Sequence, residues 1–187
     1  MTFFLGSQLK KARQEIIALL DVKPNTSVLS VSIGTGRDFE FFPKEILPTL
    51  HIAGLDISAG MLKQANKKFK KWKIDIDLFL GNAETLPFAD NSFDTVFHFG
   101  GINFFNSPSQ AVAELYRVAK PGTKIMFGDE TEAFIKKNYK KMPVVKNIIK
   151  DKEISLKPLN WLPQTAKAAT YQEFGKGKMY AVTFIKE

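Results

Sequence analysis

A three-layer, doubly wound α/β fold with a mostly parallel sheet is predicted by three features of this 187-residue sequence. Apolar stretches alternate with amphipathic ones at a spacing of roughly 20 to 30 residues, the rhythm of repeated βαβ units. The first of them runs into a turn with two glycines, "VSIGTGRDFEFF" from Val31 to Phe42, where something must approach the backbone closely. The final stretch, "ATYQEFGKGKMYAVTFIKE", reads as a strand, a glycine turn and a strand, so the sheet ends in an antiparallel hairpin. With 44% hydrophobic and 25% charged residues, residues 1–187 read as a single soluble domain with a core of ordinary size.

In chain order, "SVLSVSI" (Ser27 to Ile33) is a buried strand and "HIAGLDI" (His51 to Ile57) a second. Ser58 then caps a helix whose apolar positions Met61, Leu62, Ala65, Phe69 and Trp72 recur at helical spacing, with the lysines of "KKFKKWK" largely on its solvated side. "IDIDLFL" (Ile74 to Leu80) alternates and then turns apolar, as a third strand, and "SFDTVFHF" (Ser92 to Phe99) is a fourth. "SPSQ" (Ser107 to Gln110) combines an N-cap serine, a proline at the first helical position and a glutamine at the third. The helix it opens turns Ala111, Val112, Leu115 and Val118 inward and stops at Pro121 and Gly122. Tyr116 and Arg117 on it read as packing and surface residues. "TKIMFGD" (Thr123 to Asp129) is a fifth strand, followed by a lysine-rich, partly helical stretch before the closing hairpin.

Composition excludes several chemistries. Without any Cys there are no disulfides, cysteine-rich zinc sites or thiol nucleophiles, and a cytoplasmic setting is expected. Only His51 and His98 could supply imidazole, so a histidine-rich metal site is excluded too. The start, "MTFFLGSQLKK", is too briefly apolar for a secretory segment, and no later stretch reaches a membrane-spanning length, so no stable membrane insertion is expected. Oligomeric state is not legible. The net charge of +8 is uneven, with 14 basic and 12 acidic residues from Met1 to Lys120 but 13 and 7 from Pro121 to Glu187. Such a basic last third attracts nucleic acid, anionic lipid or an acidic small molecule, and equally serves as a solubilising lysine surface.

The glycine turn selects among nucleotide-like ligands. "GTGRD" lacks the Gly-Lys-Ser/Thr ending of a triphosphate-binding loop. A dinucleotide turn needs a third glycine, yet that position is Arg37 counting from Ser32 and Phe39 counting from Gly34. An acidic residue does end the second strand: Asp56, 22 residues after Gly34, can accept hydrogen bonds from ribose hydroxyls. The site therefore provides for a ribose and makes little provision for a pyrophosphate.

Four segments, in order and spacing, resemble the class I S-adenosylmethionine-dependent methyltransferases: "VLSVSIGTG", "GLDIS", "GNAETLPFADNSFDTVF" and "ELYRVAKPGTKI". Within that Rossmann-like family, "AETLPFADNSFD" and "RVAKPG" look most like ubiquinone and menaquinone biosynthesis enzymes and related small-molecule methyltransferases. The resemblance implies S-adenosyl-L-methionine as cofactor. Gly34 and Gly36 would let the backbone pass its methionine part, Asp56 would bind the ribose, Ile57 would lie on the adenine, and Asn82 and Ala83 would reach the adenine edge. Ser30 stands where the family often has an acid, and Ser32 where it usually has its first glycine. A serine at a left-handed position would strain the backbone or crowd the ligand. Asp38 is a candidate to replace the acid missing at Ser30.

The same resemblance implies a small-molecule acceptor, and the apolar "HFGGINFF" beside the Phe134 to Lys152 segment, which pairs apolar side chains with seven lysines, points to an amphipathic or anionic one. His98, at the end of the fourth strand, is the candidate base if the acceptor must lose a proton. "HFGGINFF" would form the pocket floor, with Gly100, Gly101, Asn103 and Phe104 against the acceptor, and the segment from Phe134 to Lys152 reads as a lid over it in preference to a surface-facing helix. Two other readings stand beside this one. A non-catalytic cofactor-binding or interaction protein on the same fold is motivated by Ser30 and Ser32. A nucleic-acid methyltransferase, motivated by the basic last third, lacks an Asn-Pro-Pro-Tyr type of motif after the fourth strand.

Overall fold

A computed structural model describes residues 2–139 and 157–187. Among these, seven strands form one sheet: β1 (Ser27–Val31), β2 (His51–Asp56), β3 (Asp77–Leu80), β4 (Thr95–Phe99), β5 (Lys124–Glu130), β6 (Lys167–Phe174) and β7 (Met179–Ile185). Their order is β3-β2-β1-β4-β5-β7-β6. The first five run parallel, and β7 lies antiparallel to both β5 and β6, as the closing hairpin predicts. Strand order reverses direction between β1 and β4, which makes the carboxyl ends of those two strands the natural ligand crevice.

Four α-helices are described: α1 (Thr2–Ala18), α2 (Ala59–Trp72), α3 (Pro108–Val118) and α4 (Glu132–Tyr139). Ser58 accepts from the Met61 N–H at the start of α2, and Ser107 from the Gln110 N–H at the start of α3, both at 3.4 Å. These satisfy amides that have no partner within the helix. On one face of the sheet, Ala111, Val112, Leu115 and Val118 of α3 pack on Val31, Leu55, Val96 and Phe127. On the other, Ala12, Ile16, Ile17 and Leu20 from α1 and its end join Leu62 and Phe69 of α2. Helix α1 is an addition to the βαβ rhythm, and the 3.6-residue spacing of Ala12, Ile16 and Leu20 is its signature.

The crossover from β1 to β2 departs from a regular βαβ unit. It holds two short 3₁₀ turns, Arg37–Phe41 and Leu47–Thr49, where an α-helix would be expected. Phe39 does the work of a helix face: fully buried, it stacks on Phe42 at 4.7 Å and meets Phe69 edge-on at 5.2 Å. Of the expected lid, Phe134 to Tyr139 fall in α4, where Ile135 is fully buried, and residues 140–152 lie outside the described residues. No described helix is long and apolar enough to cross a membrane.

The amino ends of β1 and β4 are joined by Asp94, which accepts from the Ser27 hydroxyl and N–H and from Lys120 Nζ. Burial opposes the charged carboxylate, but these donors and the Lys120 charge outweigh it and hold Asp94 at about 2. Because the folded form is the stronger acid, its contribution is complete above the ordinary value near 4 and is lost as pH falls towards 2. Urea unfolding at pH 6 and pH 3 should therefore show a smaller acid-side loss for Asp94→Asn than for the parent chain.

Candidate functional site

Residues at the carboxyl ends of β1, β2 and β4 build the site. After Val31 the chain turns through Ser32 (φ 55°), Gly34 (φ 57°) and Gly36 (φ 69°), all left-handed. A side chain at Gly34 would meet nothing within 4 Å, so conformation alone demands glycine there. Gly36 has a second reason: its Cβ would stand 2.6 Å from the Phe69 ring, so this glycine lets α2 pack against the turn. The Asp56 carboxylate, 7% exposed, fixes the arrangement by accepting from the Gly34 N–H at 2.8 Å and the Ser58 N–H at 2.9 Å. Each oxygen keeps acceptor capacity.

A cleft of about 190 Å³ opens beside this turn, lined by Ser32, Ile57, Asn82 and Ala83 together with Phe104 and Phe105. Ile57 is 78% exposed, an apolar side chain presented to whatever enters. Asn82 turns its side-chain oxygen to the Glu84 N–H at 2.9 Å, so it also shapes its own loop. That loop is clamped from α3. Arg117 donates to the carbonyls of Leu86 and Phe88, to Asp90 and to Glu114, while Glu114 accepts from the Leu86 N–H. Arg117 is thus an organising residue and more than a surface charge. Tyr116 stacks on Phe184.

Phe104 also borders a second cleft, of about 310 Å³, whose walls include Gly100, Gly101, Phe99 and Met179. Three charged residues reach it: Arg13 from α1, and Asp129 and Glu130 from the end of β5. Arg13 lies 4.7 Å over the Phe99 ring, with Nε 3.2 Å from Asp38 Oδ1, an ion pair whose alignment falls short of a hydrogen bond. Burial raises the Asp38 carboxyl and Arg13 opposes this. Asp38 lines neither cleft. Asp129 accepts from the N–H groups of Gly101, Asn103 and Glu130, and burial pushes it up to about 6 against those donors. Asn103 is occupied under the loop, donating to the Glu130 carbonyl and accepting from the Tyr180 hydroxyl, both at 2.8 Å, and is absent from the cleft wall.

His98 lies in the sheet at 1% exposure and lines neither cleft. Its Nδ1 is 3.1 Å from the Val31 carbonyl, so the neutral ring carries its proton there, and buried Nε2 has no partner. Burial lowers its pKa to about 4, which keeps the ring uncharged. Ser30 is buried within β1. Arg13 escaped the sequence reading along with α1, and Asp129 was visible only as an acid ending the fifth strand.

Residues 29–127 match the family model described as a methyltransferase domain. The demethylmenaquinone methyltransferase of Renibacterium salmoninarum is 37% identical over 122 residues, which is 65% of this chain and 48% of that protein. The Listeria monocytogenes protein of the same name is 38% identical over 123 residues, 65% of this chain and 52% of that one. The chain thus spans about half the length of the curated relatives it matches. A SAM-dependent methyltransferase from Aquifex aeolicus superposes with a TM-score of 0.67 at 19% identity, covering 94% of this chain and 89% of that one. A Haloferax volcanii methyltransferase solved with its Trm112 activator gives 0.69 at 13%, covering 97% and 90%. The chain belongs to the class I S-adenosylmethionine-dependent methyltransferase family.

Ser32 holds a left-handed conformation that a side chain disfavours. Ser32→Gly should raise unfolding stability by about 0.5–1 kcal/mol and leave nucleoside affinity unchanged or improved. A loss of affinity would identify the serine hydroxyl as a ligand contact.

Proposed function

We propose that this methyltransferase domain moves a methyl group from S-adenosyl-L-methionine to a small organic acceptor with an apolar body. The observation that carries this reading is the pair of clefts meeting at Phe104, one lined by Ser32 at the head of the glycine turn and by Ile57 directly after the ribose-type acid Asp56, the other walled by aromatics and carboxylates. When bound, the cofactor supplies an electrophilic methyl group on a sulfonium. Asp56 would receive ribose hydroxyls, Ile57 and Ala83 would offer apolar contact to a base, and Asn82 would meet its edge. The 190 Å³ cleft suits a nucleoside portion, and the turn at Gly34 leaves open space beside it.

Acceptor chemistry follows from the second cleft. Phe99, Phe104 and Met179 favour an apolar body, which supports an amphipathic acceptor. The anionic group expected of that acceptor drew on lysines lying mainly outside the described residues. Arg13 is the described cation at the wall, and Asp129 and Glu130 favour donor atoms such as hydroxyl or amine N–H. A transfer that frees a proton needs an acceptor for it, and Asp129 is better placed than His98 because it lines the cleft. Positioning and exclusion of water supply most of the remaining rate advantage.

Calorimetry should detect binding of S-adenosylmethionine and competition by S-adenosylhomocysteine, with Asp56→Ala weakening both by about 1.5–3 kcal/mol. Absence of heat and of thermal shift at millimolar ligand would leave the non-catalytic reading. For a proton-releasing acceptor, found by screening phenols, amines and carboxylates with tRNA as a control, kcat/KM should rise with pH through about 6, as Asp129 loses its proton. Asp129→Asn should flatten that rise, and His98→Gln should keep it.

A further inference from the structure

A third cleft, of about 540 Å³, lies away from both others and shares no lining residue with them. It exists because the β1–β2 crossover is built of 3₁₀ turns, leaving a thin layer between α1 and α2. Trp72 from the last turn of α2, and Leu47 and Pro48 just before β2, place it towards the amino ends of the strands. Phe39, Leu47, Pro48, Trp72 and Ile74 make its walls apolar. Its volume falls in the range of about 300–1,000 Å³ common for small-molecule sites.

The charged groups at the cleft say what its occupant must carry. Glu40 is already paired, with Lys68 Nζ 2.6 Å from its carboxylate, and that ammonium also stands 5.5 Å from the centre of the Trp72 ring. Lys10 and Lys44 line the cleft with no ion pair among the described residues. The balance is therefore positive beside an apolar hollow. No glycine turn or acceptor array is present that would favour a nucleotide, and the aliphatic and aromatic walls offer a polar metabolite few partners. We propose that this cleft binds a single-chain amphiphile with an anionic head, of the fatty-carboxylate class, its chain against Trp72, Leu47 and Ile74 and its head between Lys10 and Lys44.

Trp161→Phe leaves Trp72 as the single tryptophan, a reporter inside the site. Titration of this variant of the whole 187-residue chain with sodium decanoate, below micelle formation, should change Trp72 emission saturably. Dodecanoate should bind about tenfold more tightly, from the two added methylenes. Decanol, with the same chain and no charge, should respond far more weakly. Lys10→Ala with Lys44→Ala should weaken decanoate about five- to tenfold while circular dichroism and S-adenosylmethionine binding stay as in the parent. A second pair, Lys10→Glu with Lys44→Glu, should abolish the response. Equal responses to decanol and decanoate would overturn the proposal, as would indifference to the lysine substitutions. So would a response confined to phosphatidylglycerol vesicles, which would mark a membrane surface, or a dimer in light scattering that buries Trp72 without amphiphile.

Discussion

The bonds from the Gly34 and Ser58 amides to the Asp56 carboxylate set the geometry on which the ligand end of the sheet depends. A buried carboxylate is tolerable only when its oxygens are satisfied, and here the satisfaction comes from two amides that regular structure leaves unpaired. One bond holds the turn leaving β1 and the other holds the start of α2. The device recurs across the sheet: Asp129 at the end of β5 gathers the amides of the loop leaving β4, and Asp94 at the start of β4 gathers Ser27 at the start of β1. Each acid joins segments distant in sequence, so the turn leaving β1 and the loop leaving β4 are each positioned by the neighbouring strand in the sheet. Packing places the strands, and these carboxylates place the loops.

The two clefts at the carboxyl ends differ in what supports them. The first rests on a loop gripped by Arg117, whose planar guanidinium satisfies two carbonyls and two carboxylates at once. The second rests on the buried network of Asp129, Asn103 and Tyr180. Burial raises the Tyr180 hydroxyl pKa, and the nearby Asp129 charge adds to that, so it stays protonated and donates to Asn103. Phe104, shared by both clefts, is where these two supports meet.

Much of the sheet was legible because parallel strands buried on both faces are written as apolar runs, and both helix starts carry their caps in the sequence. Strand ends were less so: β3 begins at Asp77, three residues after the apolar alternation starts, because pairing with β2 sets its length. Helix α1 lies outside the βαβ rhythm, and its own signature, the helical spacing of Ala12, Ile16 and Leu20, has to be read without that guide. In the site, Gly34 and Asp56 could be paired by spacing alone, whereas Gly36 owes its identity partly to Phe69, a contact spacing cannot reveal. Asn103 and His98 looked like pocket residues from their neighbourhood in the chain. The loop geometry turns the first onto Tyr180, and the pairing of β4 with β1 sinks the second beside the Val31 carbonyl.

The closing hairpin places the last of the described strands inside the sheet, with β7 between β5 and β6. During synthesis, β6 emerges with no place to pair, because its neighbour in the sheet is not yet made. Until residues 179–185 arrive, β5 has an open edge, the buried Phe127 and Met126 it carries lack part of their cover, and β6 has no strand to pair with, only its packing of Phe174 towards the α1 side of the core. Completion of the sheet is therefore a late, non-local event, and the window before it is the time when this chain most exposes a template for aggregation.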